Sequence, residues 1–560
     1  MTASTQDTAM LDASPQTALP SPCGERILPH SHVLIVLPSG VQKILRVSPD
    51  TNISLGKFGS FPSNCLLHRP YNQTYDIVTS ADNTVSLRLV PYAELDADIH
   101  GTALSAEDPD GSATPSSSVN PEIYDLPPGV MPTNQHTLDT STSQTLTWQE
   151  IEELKNKTTN SGKDLVEKLL ASHTAIDQKT PFSLHKYTLR KAGKFLRRFE
   201  VRKLDVNALV EYLPTVKEPY KFLDLRNEQL ALMLSVGDIK FGGRYLVVDE
   251  TGGLVVAALA ERLGLLDTTL TSPMDESPSP TTDARKEPNT ITLVHSNEQP
   301  NLSALTHFNF DLNTPPPTHP LTSHLHTLTW LQLLDPDSDT TLLPPPPPAP
   351  EAKPGKKATY NRKLHRWKKM MSIVNTARDG GYDSLIIAAH MAVPGILKAL
   401  VPLVRPSGQV VVYCASLQQA AETADLYSSS RRAAAVQKKA EELERRQQKE
   451  EGTDDGEKEK TFLEMEETEI EHTDPTLLLA PTLHKVEARR YQVIPGRTHP
   501  MMTSRGGGEG YVVHATRVEP VQGRVDARGA FRSMKKRRVE VEVEGEGEGK
   551  KVKVGGEEGV

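Results

Sequence analysis

The chain has 560 residues, of which 63 are basic and 72 acidic, giving a formal net charge of -9. Aromatic residues make up only 5% and prolines number 43, so we expect long linkers between the folded parts. The three cysteines show no C-x-x-C spacing, no secretory leader pattern precedes residue 27, and no run approaches the ~20 apolar residues of a membrane helix. These features argue against a disulfide scaffold, a zinc site and a membrane protein, and favour a soluble protein of a reducing compartment.

The N-terminal part is predicted to contain a small all-β domain. Residues 1–27 are rich in Ser, Thr, Pro and Ala and are predicted to be disordered. A strand at 32–37 and an alternating second strand at 41–47 flank a Pro-Ser-Gly turn and indicate a β-hairpin. Later strands are predicted at 74–78 and 84–90, so residues 28–92 are assigned to a barrel-like domain. Residues 93–144 lack periodicity and are predicted to be a linker.

Residues 145–215 are predicted to form a helical, basic connector. Thr147 with Glu150 three residues later is typical of a capping box at a helix start. Further along, a cationic residue recurs every four positions, which predicts one charged helix face. The residues of this face are Lys186, Arg190, Lys194 and Arg198.

Strands alternating with helices predict an α/β domain over residues 216–518. The apolar stretch Tyr245–Val248 runs into a short acidic turn and then into an apolar helix that ends near Arg262. Strands are also predicted at 290–295, 384–389 and 409–413, with a basic helix over about 360–379, which indicates a parallel sheet covered on both faces. Two strands, 489–494 and 511–518, are predicted to close the sheet. Insertions are predicted at about 271–288, 332–356 and 431–474, and a disordered tail at 519–560.

Three segments together resemble one known family. They are Ser54–Phe61, Gly242–Leu254, and Tyr491–Met502 with the following Gly506-Gly507-Gly508. In this order they resemble the non-catalytic subunits of the eukaryotic tRNA adenine-58 N1-methyltransferase, over about residues 28–92, 145–265, 289–331 and 356–518. The resemblance implies a Rossmann-like methyltransferase domain that has lost its catalytic activity. The small all-β domain precedes it. The resemblance also implies a paralogous catalytic partner, a heterotetramer, tRNA binding and a nuclear location.

The turn after Tyr245–Val248 is interpreted as a degenerate cofactor loop. A loop that admits S-adenosylmethionine needs small residues so that the ligand can approach the backbone closely. Here only two adjacent glycines remain, behind two carboxylates and a β-branched residue. The loop residues are Asp249, Glu250, Thr251, Gly252 and Gly253.

No catalytic residue, metal site or cofactor is therefore predicted. Glu298 follows the second strand, but one acidic residue is weak evidence for ribose binding. His390 follows the strand at 384–389 without the acidic residue and proline that catalytic relatives carry. The alternative is an active S-adenosylmethionine-dependent RNA methyltransferase with a rebuilt loop, and a third possibility is a translation-associated scaffold that binds proteins through its β-domain.

Clustered cations with interleaved aromatic residues predict RNA binding through phosphate contacts. The alternative is a basic helix that is merely solvated. Arg497 and His499, in the final loop, are candidates either for RNA contact or for stabilising that loop and the partner interface. Lys535–Arg538 in the tail is a candidate nuclear-import signal. The predicted RNA-binding residues are Lys186, Arg190, Lys191, Lys194, Arg197, Arg198, Arg362, Lys363, Arg366, Arg497 and His499.

Overall fold

The computed structural model describes residues 25–80, 84–100, 144–157, 162–174, 181–266, 289–349, 353–450, 473–489, 491–494, 497–501 and 510–520. The predictions for residues 1–24, for the insertion at 271–288 and for the tail beyond residue 520 lie outside these ranges. No helix among the described residues is long and apolar enough to cross a membrane.

Most of the N-terminal strands join in one antiparallel sheet. The predicted hairpin is confirmed, with Val36 opposite Gln42 at the turn. The described strands form a five-stranded sheet in the order β2-β1-β7-β5-β6, while β3 and β4 pair only with each other. The strands are β1 His32–Val36, β2 Gln42–Arg46, β3 Asn52–Ser54, β4 Ser60–Pro62, β5 Gln73–Thr79, β6 Val85–Leu89 and β7 Arg198–Lys203.

Strand β7 comes from the segment predicted to be a helical connector. It lies between β1 and β5 and pairs antiparallel with both, so the N-terminal sheet needs residues far outside 28–92. Phe199 and Val201 of β7 are buried in the same core as Phe61 and Tyr75. Within the described residues no pairing joins β2 to β6, so the described sheet is open rather than a closed barrel.

Four helices separate β6 from β7 in the described chain. They are α1 Tyr92–His100, α2 Trp148–Lys157, α3 Lys163–Ala171 and α4 Pro181–Phe195. The capping box before α2 is confirmed, because the Thr147 N–H donates to Glu150 Oε2 (2.8 Å) and the Glu150 N–H donates to Thr147 Oγ1 (3.3 Å). Helix α1 falls inside the segment predicted to be a linker.

The second sheet has seven strands in the order β10-β9-β8-β11-β12-β16-β13. The first five are parallel, as predicted, and β16 and β13 are antiparallel. The prediction that 489–494 closes this sheet is wrong, since β13 takes that place and β14 pairs with β15 in a separate hairpin. The strands are β8 Arg244–Asp249, β9 Thr290–His295, β10 Leu325–Thr329, β11 Tyr382–Ala388, β12 Val404–Cys414, β13 Leu478–Lys485, β14 Tyr491–Ile494, β15 Arg497–Pro500 and β16 Tyr511–Arg517.

Helices cover both faces of the second sheet. Alternate residues of β8 point into two cores: Tyr245 and Val247 into the first, and Leu246 and Val248 into the second. The first core also contains side chains of α5, α6 and α7, and the second contains side chains of α10, α11 and α12. The helices are α5 Val206–Val216, α6 Asn227–Val236, α7 Leu254–Arg262, α8 Leu321–His324, α9 Trp330–Leu334, α10 Pro354–Arg378, α11 Val393–Leu400, α12 Leu417–Leu426 and α13 Ser429–Glu450.

Two predicted insertions are at least partly ordered. In the segment 332–356, Leu333 and Leu342 are buried in the second core, so this stretch packs on the domain rather than looping away from it. In the segment 431–474, the first 20 residues all belong to the long helix α13.

Candidate functional site

The candidate site lies where the strand order of the second sheet reverses. From β8 the chain adds β9 and β10 on one side and β11 and β12 on the other. In open α/β sheets, ligands bind at the carboxyl ends of the strands at this switch point. The turn Glu250–Gly253 follows β8 there and leads directly into α7.

The Asp249 carboxylate accepts hydrogen bonds from its own turn and from the first turn of α7. Its Oδ1 accepts hydrogen bonds from the N–H (2.8 Å) and the hydroxyl (2.6 Å) of Thr251, and its Oδ2 accepts from the N–H of Val256 (3.0 Å). Burial raises the pKa of Asp249, although the hydrogen bonds from Thr251 and Val256 lower it. The carboxylate thus satisfies N–H groups at the start of α7, the place where other folds hold a phosphate or carboxylate of a ligand.

The two glycines of the turn are packed by the protein itself. Gly252 and Gly253 have φ of +77° and +89°. A Cβ on Gly253 would lie 3.0 Å from Leu302 Cα, and one on Gly252 would lie 3.3 Å from Ser303 Oγ. The Gly252 carbonyl also accepts a hydrogen bond from the N–H of Ala304 (3.0 Å). The close approach that glycine permits is therefore used by the segment 302–304 and not by a ligand.

Glu250 ties the turn to the neighbouring strand. Its N–H donates to the Ala388 carbonyl (2.9 Å), and its Oε2 accepts a hydrogen bond from the N–H of His390 (2.6 Å). Glu250 therefore bridges the ends of β8 and β11.

A small cavity remains at the switch point. It holds about 240 Å³, below the roughly 300–1,000 Å³ of common small-molecule pockets. His295 lines it, and burial lowers the pKa of this imidazole. Glu298 is exposed beyond the end of β9. With Leu302 and Ser303 against the glycines and two carboxylates in the turn, these residues do not fit S-adenosylmethionine. The other lining residues are Val248, Asp249, Glu250, Val294, Ser296, Asn297, Asn301, Trp330, His390 and Met391.

The role of Leu302 and Ser303 could not be predicted from the sequence. They lie about 50 positions beyond the turn, in a stretch without helical or strand periodicity, at the start of a 3-10 helix over Ser303–Phe308. Only the folded chain brings this segment against Gly252 and Gly253. By contrast, the residue types of Asp249 and Thr251 are enough to predict that the cofactor loop is crowded.

Helix α4 carries most of the first predicted basic face. Lys186, Arg190 and Lys194 are exposed. Lys191 is half-buried with its Nζ 5.0 Å from the Tyr187 ring centre, and burial lowers its pKa. Arg197 lies beyond the helix, where it donates from Nη2 to the Lys155 carbonyl (3.2 Å).

The placement of Arg198 on this helix face is wrong. Helix α4 ends at Phe195, and Arg198 begins β7 with its side chain only 8% exposed. Its Nε lies 2.7 Å from Asp76 Oδ1, and its Nη2 lies 3.1 Å from Glu94 Oε1. The guanidinium is an internal partner for two carboxylates, so it offers no surface to RNA.

Helix α10 contains the basic helix that was predicted over about 360–379. From Pro354 to Arg378 it contains eight basic residues and no acidic residue. Arg362, Lys363 and Arg366 are all exposed, whereas Val374 and Ala377 near the end of the helix are buried. The first half of the helix therefore presents cations, and the second half anchors it to the domain.

The predicted site residues Arg497 and His499 lie in the hairpin β14–β15. Both belong to β15, with Arg497 opposite Ile494 and His499 opposite Gln492. His499 is half-buried. Their part in RNA contact or in a partner interface stays a prediction.

Strand order and the internally packed turn define the larger domain as a Rossmann-like methyltransferase fold without a fitting cofactor loop. Its parallel strands follow the doubly wound order, with β16 and β13 added antiparallel. The chain belongs to the Gcd10p family, whose model matches residues 26–358.

Similar proteins carry consistent names. The "tRNA (adenine(58)-N(1))-methyltransferase non-catalytic subunit trm6" of Aspergillus oryzae is 38% identical, over 92% of this chain and 96% of the relative. The protein of that name from Dictyostelium discoideum is 22% identical over 70% of this chain and 64% of its own length.

Similar solved structures include two bacterial methyltransferases. The tRNA (m1A58) methyltransferase TrmI of Aquifex aeolicus has a TM-score of 0.34 at 7% identity, covering 89% of this chain and 100% of that structure. A SAM-dependent O-methyltransferase of Thermotoga maritima has a TM-score of 0.35 at 9% identity, covering 89% of this chain and 96% of that structure.

Proposed function

We propose that this chain is the non-catalytic, tRNA-binding subunit of a tRNA adenine-58 N1-methyltransferase. Relatives that are 38% and 39% identical over 92% of the chain bear the name of that subunit. The structural observation that carries the proposal is the turn after β8, where Leu302 and Ser303 occupy the approach to Gly252 and Gly253.

The chemistry of methyl transfer explains why this observation is decisive. A methyltransferase must hold the sulfonium cofactor beside the target nitrogen, and in this fold the turn after the first strand supports the cofactor. Here the Asp249 carboxylate and the segment 302–304 complete the turn, and Thr251, Gly252 and Gly253 are buried. Methyl transfer then depends on a catalytic partner subunit, and this chain contributes binding and support.

Binding of tRNA is assigned to the exposed cations of α4 and α10. Helices with several cations and no carboxylate contact phosphates and release counterions, which gives salt-sensitive, largely shape-based RNA binding. In α4 the cations at 186, 190 and 194 recur every four residues and are all exposed. In α10 the exposed cations Arg362, Lys363 and Arg366 lie within two helical turns.

The assembly is proposed to be a heterotetramer with a paralogous catalytic subunit, located in the nucleus. The family resemblance of the closing segment around Arg497 and His499 supports the assembly. The cluster Lys535–Arg538, which lies outside the described residues, supports nuclear import.

Calorimetric titration with S-adenosylmethionine tests the non-catalytic assignment. The isolated chain is expected to give no binding heat and no methylated tRNA, while the co-expressed pair with the catalytic subunit methylates adenine 58. The catalytic subunit titrated alone is the positive control for the cofactor. Cofactor binding together with methylation by the isolated chain would instead establish the alternative, an active RNA methyltransferase with a rebuilt loop.

A further inference from the structure

The two basic helices lie on opposite sides of the seven-stranded sheet. The first core covers one face of that sheet and the second core covers the other, as the alternation of Val247 and Leu246 in β8 shows. One basic helix packs on the second face, and the other is connected to the first face through the N-terminal sheet.

Helix α10 belongs to the second face. Val374 and Ala377 are buried in the second core, and the Trp367 Nε1–H donates to the Leu342 carbonyl (2.7 Å). Tyr360, Leu364 and Trp367 are half-buried and lie on the same side of the helix. Arg362, Arg366 and Lys369 are exposed and lie on the opposite side, so this stripe of cations points away from the sheet.

Helix α4 belongs to the first face, through the N-terminal sheet. Leu34 of β1 is part of the first core, and the ring of His32 meets His307 of the larger domain at 5.9 Å between ring centres. Helix α4 in turn abuts the turn between β1 and β2, where a Cβ on Gly193 would lie 2.9 Å from the Pro38 carbonyl oxygen. Through the N-terminal sheet, helix α4 is therefore connected to the first face.

The layers between the two helices keep their charges apart. The helices packed on each face of the sheet are about 10 Å thick. Ionic screening at physiological salt acts over about 8 Å, which is less than the thickness of one such helix layer, so charges on opposite faces of the sheet do not influence each other's potential strongly.

We infer that α4 and α10 contact separate segments of the tRNA backbone rather than forming one continuous binding surface. This inference rests on the proposed function, since it assigns the RNA contacts of that function to two places. If it is correct, removing the charges of one helix frees one set of tRNA nucleotides from the protein, while the other set stays in contact with it.

The test is backbone footprinting of an unmodified tRNA transcript bound to the complex of the full chain with its catalytic partner. One variant combines Lys186→Glu, Arg190→Glu and Lys194→Glu, and the other combines Arg362→Glu, Arg366→Glu and Lys369→Glu. Matched controls exchange Lys for Arg, or Arg for Lys, at the same positions and keep the charge. Circular dichroism and elution volume check that each variant folds and assembles.

Each reversal is expected to weaken tRNA binding roughly tenfold or more and to reduce the slope of log affinity against log salt by about one for each lost phosphate contact. The nucleotides that lose protection are expected to be different for the two variants. Loss of protection at the same nucleotides, or an affinity change in only one variant, would overturn the inference and leave RNA binding by the chain intact. Unchanged affinity in both variants would overturn the assignment of RNA binding to these helices.

Discussion

Two aspartates, Asp76 in the N-terminal sheet and Asp249 in the larger domain, are both buried and are stabilised in different ways. Asp76 is fully buried and accepts hydrogen bonds from two guanidinium groups, those of Arg198 (2.7 Å) and Arg88 (2.5 Å). Asp249 is 7% exposed and accepts hydrogen bonds from groups within seven residues of itself.

Asp76 joins elements that are far apart in the chain, whereas Asp249 caps only its own turn. Asp76 on β5 is joined to β7 through Arg198 and to β6 through Arg88, and Glu94 of α1 and Lys163 of α3 extend the same network. This network connects the start of α3, which precedes α4 in the chain, with the start of β7, which follows it. Asp249 instead stabilises the turn that directly follows its own strand, β8. We therefore expect the two carboxylates to differ in how far the effect of their loss extends.

The largest effect is expected for Asp76→Asn. The change removes a buried negative charge and leaves the Arg198 guanidinium inside without its main partner, which typically destabilises by about 3–5 kcal/mol. Urea unfolding followed by circular dichroism measures the loss. The matched control is Asp425→Asn, which removes the carboxylate from an exposed pair with Arg431 and is expected to cost no more than about 1 kcal/mol. Equal losses in the two variants would show that the Asp76 network is not a structural junction.

The position of Arg198 could not be predicted from the sequence. Its spacing from Arg190 and Lys194 matches a helix face, and nothing in the local sequence distinguishes a buried cation from an exposed one. Its partner Asp76 lies 122 positions earlier, so the pairing depends on the tertiary fold. The same holds for β7, whose strand conformation is fixed by pairing with β1 and β5 on its two sides.

Features encoded within a few residues were predicted well. The apolar runs of β8, β9, β11 and β12 were long enough to identify the parallel sheet, and the Thr147–Glu150 capping box is a local motif. The composition of the turn after β8 indicated a lost cofactor loop. The filling of that turn by Leu302 did not follow from composition, because the contact joins two loops across the domain.

A smaller effect is expected from acid on the network around Asp76. Although burial raises it, the hydrogen bonds from Arg88 and Lys163 lower the pKa of Glu94 to about 2, from 4.5. A lowered pKa stabilises the folded state at pH values above the unfolded pKa of 4.5, and this contribution is lost as the pH falls from 4.5 to about 2. Unfolding free energies measured across this range should fall less steeply in Glu94→Gln. Parallel curves for the two proteins would contradict the role of Glu94.

The smallest effect is expected for Asp249→Asn. The amide keeps one oxygen acceptor but places an NH₂ group toward the N–H of Thr251 or of Val256, so one buried donor loses its partner at about 1–2 kcal/mol. The raised pKa of Asp249 means that the folded state retains the proton more strongly. The contribution of this group therefore favours folding at low pH and diminishes as the pH rises through the raised pKa, the opposite trend to Glu94. A loss as large as that of Asp76→Asn would contradict the view of Asp249 as a local cap.

The position of β7 sets a condition on how the chain folds during synthesis. Strands β1 and β5 do not pair with each other but with β7, so the N-terminal sheet lacks its middle strand until residue 203 has left the ribosome. By then more than 203 of the 560 residues, over a third of the chain, have been synthesised. Until then the apolar faces of β1 and β5 stay exposed to other partners, which makes this interval a period of aggregation risk and of chaperone demand.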